Sequence, residues 1–176
     1  MKRALLALFC VLIILPLKAQ DNTFKMTPES PSTIFRLSLV APKLIVEFAP
    51  SNNFTLSAGF WIRSSFWHTN SSGDVIYSPY FSPSFTIEPR YYFNLEDRQK
   101  NDKRTDYYSG WFIGIPFNIE FPELRYAIGG TIGFQRTLGK RWYWNISFGP
   151  GINYYDSHFH LDGAGNFGLG IILNKM

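Results

Sequence analysis

The chain has 176 residues, of which 45% are hydrophobic, 18% aromatic and 17% charged, with a formal net charge of +4. That is one domain's worth of polypeptide, and its single cysteine excludes a disulfide framework. The basic excess gathers at the N-terminus, which removes the compositional case for a nucleic-acid-binding surface.

Residues 1–19 have the three-part layout of a secretory signal peptide: Lys2 and Arg3, an apolar run from Ala4 to Leu17, then Leu17-Lys18-Ala19 before Gln20. The expected cut follows Ala19. A membrane-spanning helix needs about 20 apolar residues, and this run is shorter. Cys10 lies inside the run, so the processed chain has no thiol. Phe9 is too bulky for the residue that precedes a lipidated cysteine, which argues against a lipoprotein. Loss of Lys2, Arg3 and Lys18 takes the 17 basic residues to 14 against 13 acidic ones. Residues 20–33 read as an extension and 34–174 as the folded domain.

From Thr33 onward the chain alternates with period two, the pattern of strands with one apolar face. Phe35, Leu37 and Leu39 are apolar at odd positions, whereas Leu44, Val46 and Phe48 are apolar at even ones. The phase flips at Ala41-Pro42, so two short strands are expected over 34–40 and 43–49. Phe54, Leu56, Ala58, Phe60 and Ile62 then oppose Thr55, Ser57, Gly59, Trp61 and Arg63. In the next strand Phe85, Ile87, Pro89, Tyr91 and Phe93 oppose Ser84, Thr86, Glu88, Arg90 and Tyr92. The charged stretch from Leu95 to Asp106 reads as a solvated turn.

Trp111, Ile113, Ile115, Phe117 and Ile119 next oppose Gly110, Phe112, Gly114, Pro116, Asn118 and Glu120. Tyr126, Ile128, Gly130, Ile132 and Phe134 oppose Arg125, Ala127, Gly129, Thr131, Gly133 and Gln135. Leu138-Gly139-Lys140 is short enough for a hairpin turn. It leads to Trp142, Trp144, Ile146, Phe148, Pro150, Ile152 and Tyr154, set against Tyr143, Asn145, Ser147, Gly149, Gly151 and Asn153. Residues 155–164 read as a loop, and Phe167, Leu169, Ile171 and Leu173 close the series of eight strands. Pro89, Pro116 and Pro150 inside strands imply bulges, since each removes a ladder donor.

The two faces differ in kind. One carries Trp, Phe, Ile and Leu. The other combines Gly, Ser, Thr and Asn with Arg36, Glu47, Arg63, Glu88, Arg90, Glu120 and Arg125. Small and charged side chains suit the narrow interior of an eight-stranded barrel, and a greasy outer face suits lipid. The seven charges are expected to pair with one another inside the lumen, where an isolated charge is costly. Tyr91, Trp111, Trp142 and Tyr154 are placed to sit at water–lipid interfaces, with Trp67, Tyr107 and Tyr155 as further candidates.

The signal segment, the alternating strands and the size resemble the small eight-stranded outer-membrane β-barrel proteins typified by OmpX and the OmpA membrane domain. Leu39-Val40-Ala41-Pro42-Lys43-Leu44-Ile45-Val46-Glu47-Phe48, followed by Asn53-Phe54-Thr55-Leu56-Ser57, is similar to the opening hairpins of that class. Pro89-Arg90-Tyr91-Tyr92-Phe93-Asn94 is similar to its central strands. The resemblance implies an all-β fold, an antiparallel up-and-down transmembrane barrel in the outer membrane of a Gram-negative cell. Both termini would lie on the periplasmic side. It carries over no catalytic residue, and the first two strands are shorter than the roughly 9–11 residues usual for spanning.

A structural or interaction role follows, with membrane lipid, lipopolysaccharide or an external macromolecule as partner and no cofactor. His158 and His160 with Asp156 or Asp162 could bind a metal, but the spacing matches no specific site. Asp156, Ser157 and His158 in one short segment lack an oriented base and oxyanion donors, so no catalysis is expected. The alternative is a secreted or periplasmic soluble β-barrel that binds a small apolar ligand, with the apolar face turned inward.

Overall fold

The computed structural model describes residues 32–174, apart from 41, 66–67, 70–74, 77–79 and 123. The expected signal segment and most of the extension lie outside the described residues. The strands are β1 (Thr33–Ser38), β2 (Lys43–Phe48), β3 (Phe54–Ser65), β4 (His68–Thr69), β5 (Val75–Ile76), β6 (Tyr80–Tyr92), β7 (Gly110–Gly114) and β8 (Phe117–Glu120). They continue with β9 (Arg125–Gly129), β10 (Thr131–Leu138), β11 (Trp142–Tyr155) and β12 (His158–Ile172). A short helix α1 (Leu95–Lys100) and a 3-10 turn (Asp106–Tyr108) lie between β6 and β7.

The strands close into an eight-stranded antiparallel barrel. β7 with β8 forms one stave and β9 with β10 another, because each pair keeps a common register against its neighbours. The circuit ends where β12 returns to β1 through Arg36–Ile172, Leu37–Ile171 and Ser38–Gly170. One end of the barrel carries residues 32 and 174 with the connections 49–53, 93–109 and 139–141. The other end carries 39–42, 121–124 and 156–157.

Alternation along each stave sets the faces as period two requires. Phe35, Leu44, Leu56, Ile87, Ile113, Ile128, Ile146 and Phe167 point outward and are exposed, whereas Arg36, Glu47, Ser57, Glu88, Gln135 and Asn145 point inward and are buried. Ile113, Ile132 and Ile146 are 51%, 39% and 43% exposed, so the apolar face is the outer one.

Three sequence expectations need correction. Pro89, Pro116 and Pro150 make no bulge: Pro89 pairs with Leu56 and Pro150 with Gly163 in unbroken registers. Each proline still accepts a bond at its carbonyl, from Ile115 N, Gly129 N and Gly130 N respectively, and only the return bond is lost. These three missing rungs lie in one row across four staves. They account for the interruptions at residues 115–116 and 130.

Residues 158–164 are strand rather than loop. Asp156 and Ser157, with φ of 51° and 64°, form a two-residue turn of the hand that suits a twisted hairpin, and β12 starts directly after it. The stretch 95–106 is more than a solvated turn. Leu95 and Asp106 are buried, and the chain that follows folds back into the barrel end.

Candidate functional site

The lumen has two halves. The lower half is filled by Ile34, Tyr92, Tyr107, Tyr108, Phe112, Tyr143 and Ile172, a cluster joined by Ala49 and Leu95. Tyr92 contacts Tyr108 and Phe112 with ring centroids 5.3 and 5.4 Å apart. Tyr107 and Tyr108 hold φ of 51° and 60°, a left-handed conformation that costs about 1–2 kcal/mol per residue for side chains of this kind. The lumen offsets that strain by gripping the segment. The Tyr107 carbonyl accepts from Arg36 Nη2 at 2.9 Å and from Gln135 Nε2 at 3.0 Å, and Thr137 N donates to Ser109 Oγ at 2.9 Å. Burial pushes the Tyr108 phenol up to about 12 against the opposing pull of Arg36, so the ring stays neutral.

Two ion pairs sit among these rings. Arg36 Nη1 bonds Glu47 Oε2, and both side chains are essentially inaccessible, at 1% and 0% exposed. Glu47 Oε1 also accepts from Thr55 Oγ1 at 2.6 Å and from the Tyr92 hydroxyl at 3.0 Å. Arg90 donates to Glu88 Oε2 through Nε at 2.8 Å and Nη2 at 2.5 Å, and stacks over Phe112 at 4.6 Å. Its Nη1 reaches Gln135 Oε1 at 3.3 Å.

Above this plug lies a cavity of about 340 Å³. Glu88 and Thr131 form its floor, Lys43, Trp61, Thr86, Asn118 and Asn166 line its wall, and Tyr155 and Asp162 stand toward the β11–β12 end. Lys43 lies flat across Gly59: a Cβ there would come within 2.2 Å of Lys43 Cε. Lys43 is also the register partner of Trp61, and its stem runs along the same wall past Gly59, two residues from Trp61 on that face.

Of the seven charges expected in the lumen, Arg36 meets Glu47 and Arg90 meets Glu88, while Glu120 stands opposite Arg125 in the β8–β9 register. Arg63 pairs in register with Ser82, but its side chain lies outside the described residues. Of the interface aromatics, Tyr91, Trp111 and Trp142 are exposed on the outer face near the end that holds the termini, and Tyr154 is exposed near the opposite end. Trp67 lies outside the described residues, and Tyr107, expected at an interface, is buried in the plug. Sequence reasoning passed over Lys43 as a lumen residue, although it is in phase with Glu47. It also missed the plug, because Tyr107 and Tyr108 follow a charged stretch with no period to read.

His158 and His160 lie on β12, with ring centroids 6.4 Å apart. His160 stacks on Tyr155 at 4.2 Å, and His158 Nδ1–H donates to the Asp156 carbonyl at 2.6 Å. Among the described residues, no group of three or more His, Cys, Asp or Glu side chains is arranged to hold a metal. No helix of the described residues is long and apolar enough to cross a membrane, which says nothing of crossing by strands. Comparison with protein-family models, with curated proteins and with solved structures gives no match, so the barrel's geometry carries the functional reading.

Proposed function

We propose that this chain is an outer-membrane β-barrel that acts as a non-catalytic cup, plugged at the end that holds its termini and hollow toward the other. The observation that carries this reading is the inverted distribution of polarity. Charged and hydroxyl side chains line the interior around one cluster of rings, while Phe60, Ile62, Phe81, Ile113, Phe148 and Phe167 lie exposed outside. Water does not tolerate so continuous an apolar belt on a monomer, and lipid does. Outward-facing aromatic contacts fall toward the two ends, Trp111–Phe134–Trp144 near one and Tyr154–Phe159 near the other, as two interfacial girdles would.

A second reading, a secreted or periplasmic barrel that carries a ligand in its lumen, is favoured by the cavity itself. Its polar lining selects a polar ligand over an apolar one. Cell fractionation separates the two readings: the proposal expects the chain in the outer-membrane fraction, released by detergent and not by salt. In reconstituted vesicles, brominated lipids should quench Trp111 and Trp142. Recovery as a freely soluble periplasmic protein would end the membrane reading and leave the second.

A further inference from the structure

We propose that the upper lumen binds a small hydroxylated carboxylate, with Lys43 as the anchoring cation and the Trp61 indole as its neighbouring donor. This deepens the reading of the lumen as a cup and does not depend on whether lipid or water surrounds the barrel.

The argument rests on which polar groups of the cavity are already satisfied. Glu88 is held by Arg90 and Thr131, and Asp162 accepts from Asn153 Nδ2 at 2.6 Å and from Gly163 N at 2.7 Å. Glu120 faces Arg125 across the ladder. Two donors on one wall, a cation and a buried indole N–H, stand out as unmet. Lys43 makes no ion pair among the described residues, and the charges it feels are Arg90 and Glu88, which are already bonded to each other. The Trp61 Nε1–H is buried with no acceptor among the described residues. An unmet buried donor costs about 1–3 kcal/mol, and a site built to meet it discriminates strongly between ligands that carry the acceptor and those that do not.

The missing partner is therefore an acceptor, and beside an ammonium it is an anionic one. A carboxylate can take Lys43 through one oxygen and Trp61 through the other. Gly59 leaves room for the lysine stem where it lies, since a side chain there would displace it. The rest of the wall, with Thr86, Asn118, Ser147, Asn153 and Asn166, offers hydroxyls and amides suited to the ligand's own hydroxyl groups. A cavity of about 340 Å³ has room for a molecule of sugar-acid size.

The test uses the folded full barrel in detergent, titrated calorimetrically with D-glucuronate, D-glucose and D-glucosamine. Glucuronate should bind saturably and at least ten times more tightly than either neutral glucose or cationic glucosamine. Lys43→Met should weaken it at least ten-fold. With ¹⁵N-labelled tryptophan, the Trp61 indole resonance, assigned through Trp61→Phe, should shift on adding glucuronate to the parent protein. That spectrum keeps the test decisive if Lys43→Met fails to fold. Absence of saturable glucuronate binding, equal affinity for glucose, or an unmoved Trp61 resonance at saturation would overturn the proposal. Fractionation reports separately on the membrane reading.

Discussion

Glu47 is a fully committed side chain. Its two oxygens receive Arg36, Thr55 and Tyr92, in a position with no access to solvent. Arg36 in turn uses its second amino group to hold the Tyr107 carbonyl and lies 5.4 Å from the Tyr143 ring. Removing the carboxylate charge leaves a guanidinium buried without a counter-ion, a change that typically costs about 3–5 kcal/mol, whereas removing both partners costs far less. Glu47→Gln is therefore expected to lower the urea midpoint of the folded barrel strongly, and Arg36→Met with Glu47→Gln to recover much of the loss. Equal destabilisation in the single and double variants would show that the pair's charge is not what matters.

The closing seam between β12 and β1 is the thinnest ladder in the barrel circuit. Only three residue pairs define it, extended by Leu39 N to Leu169 O and Leu173 N to Phe35 O. Asn174 continues it with its side chain, accepting from Phe35 N at 2.9 Å and donating to the Thr33 carbonyl at 2.7 Å. Gly170 sits where the two backbones approach most closely, and a Cβ there would lie 2.0 Å from the Leu37 carbonyl oxygen. Gly170→Ala should force the seam apart and destabilise the barrel by about 1–3 kcal/mol. A lower urea midpoint would report it; an unchanged midpoint would mean that the seam yields freely. How much of the architecture could be read beforehand follows from the same pairing physics. Staves such as β3 as far as Ile62, β6 and β11 were legible because their outward positions are apolar. The first half of β12 was not, because Gly163 and Gly165 occupy outward positions and hide the alternation. The prolines misled because a single strand's sequence shows a lost donor but not whether its partner can keep the register without it. Lumen phase was readable residue by residue, but the pairing of Arg36 with Glu47 depends on which staves are neighbours.

At the scale of the whole molecule, the described residues fill the barrel at the end that holds the termini and leave a cavity toward the other, and its chemistry follows from that asymmetry. Eight staves leave an interior that side chains can fill, and here the lower half is filled by rings from the wall and from the 93–109 connection folded back into it. Tyr107 and Tyr108 are held there by Arg36, Gln135 and their neighbours. The connection is further tied down outside, where Arg104 grips Asp106 at 2.5 and 2.8 Å and also bonds the Gly139 carbonyl. No water-filled path is expected past this plug, so the barrel reconstituted in planar bilayers should conduct no steady ionic current. Thinning the plug should change that: Tyr108→Ala with Tyr143→Ala removes two rings of the cluster and should introduce resolvable current steps, while the outer wall is left intact. Truncations of buried aromatics typically cost about 3–5 kcal/mol each, so folding of the variant is checked first by its strand circular dichroism. Single Tyr108→Ala serves if the double variant does not fold. Steady conductance in the parent protein would mean that the rings move aside in the bilayer. A pore, and not a cup, would then be the functional form of the molecule.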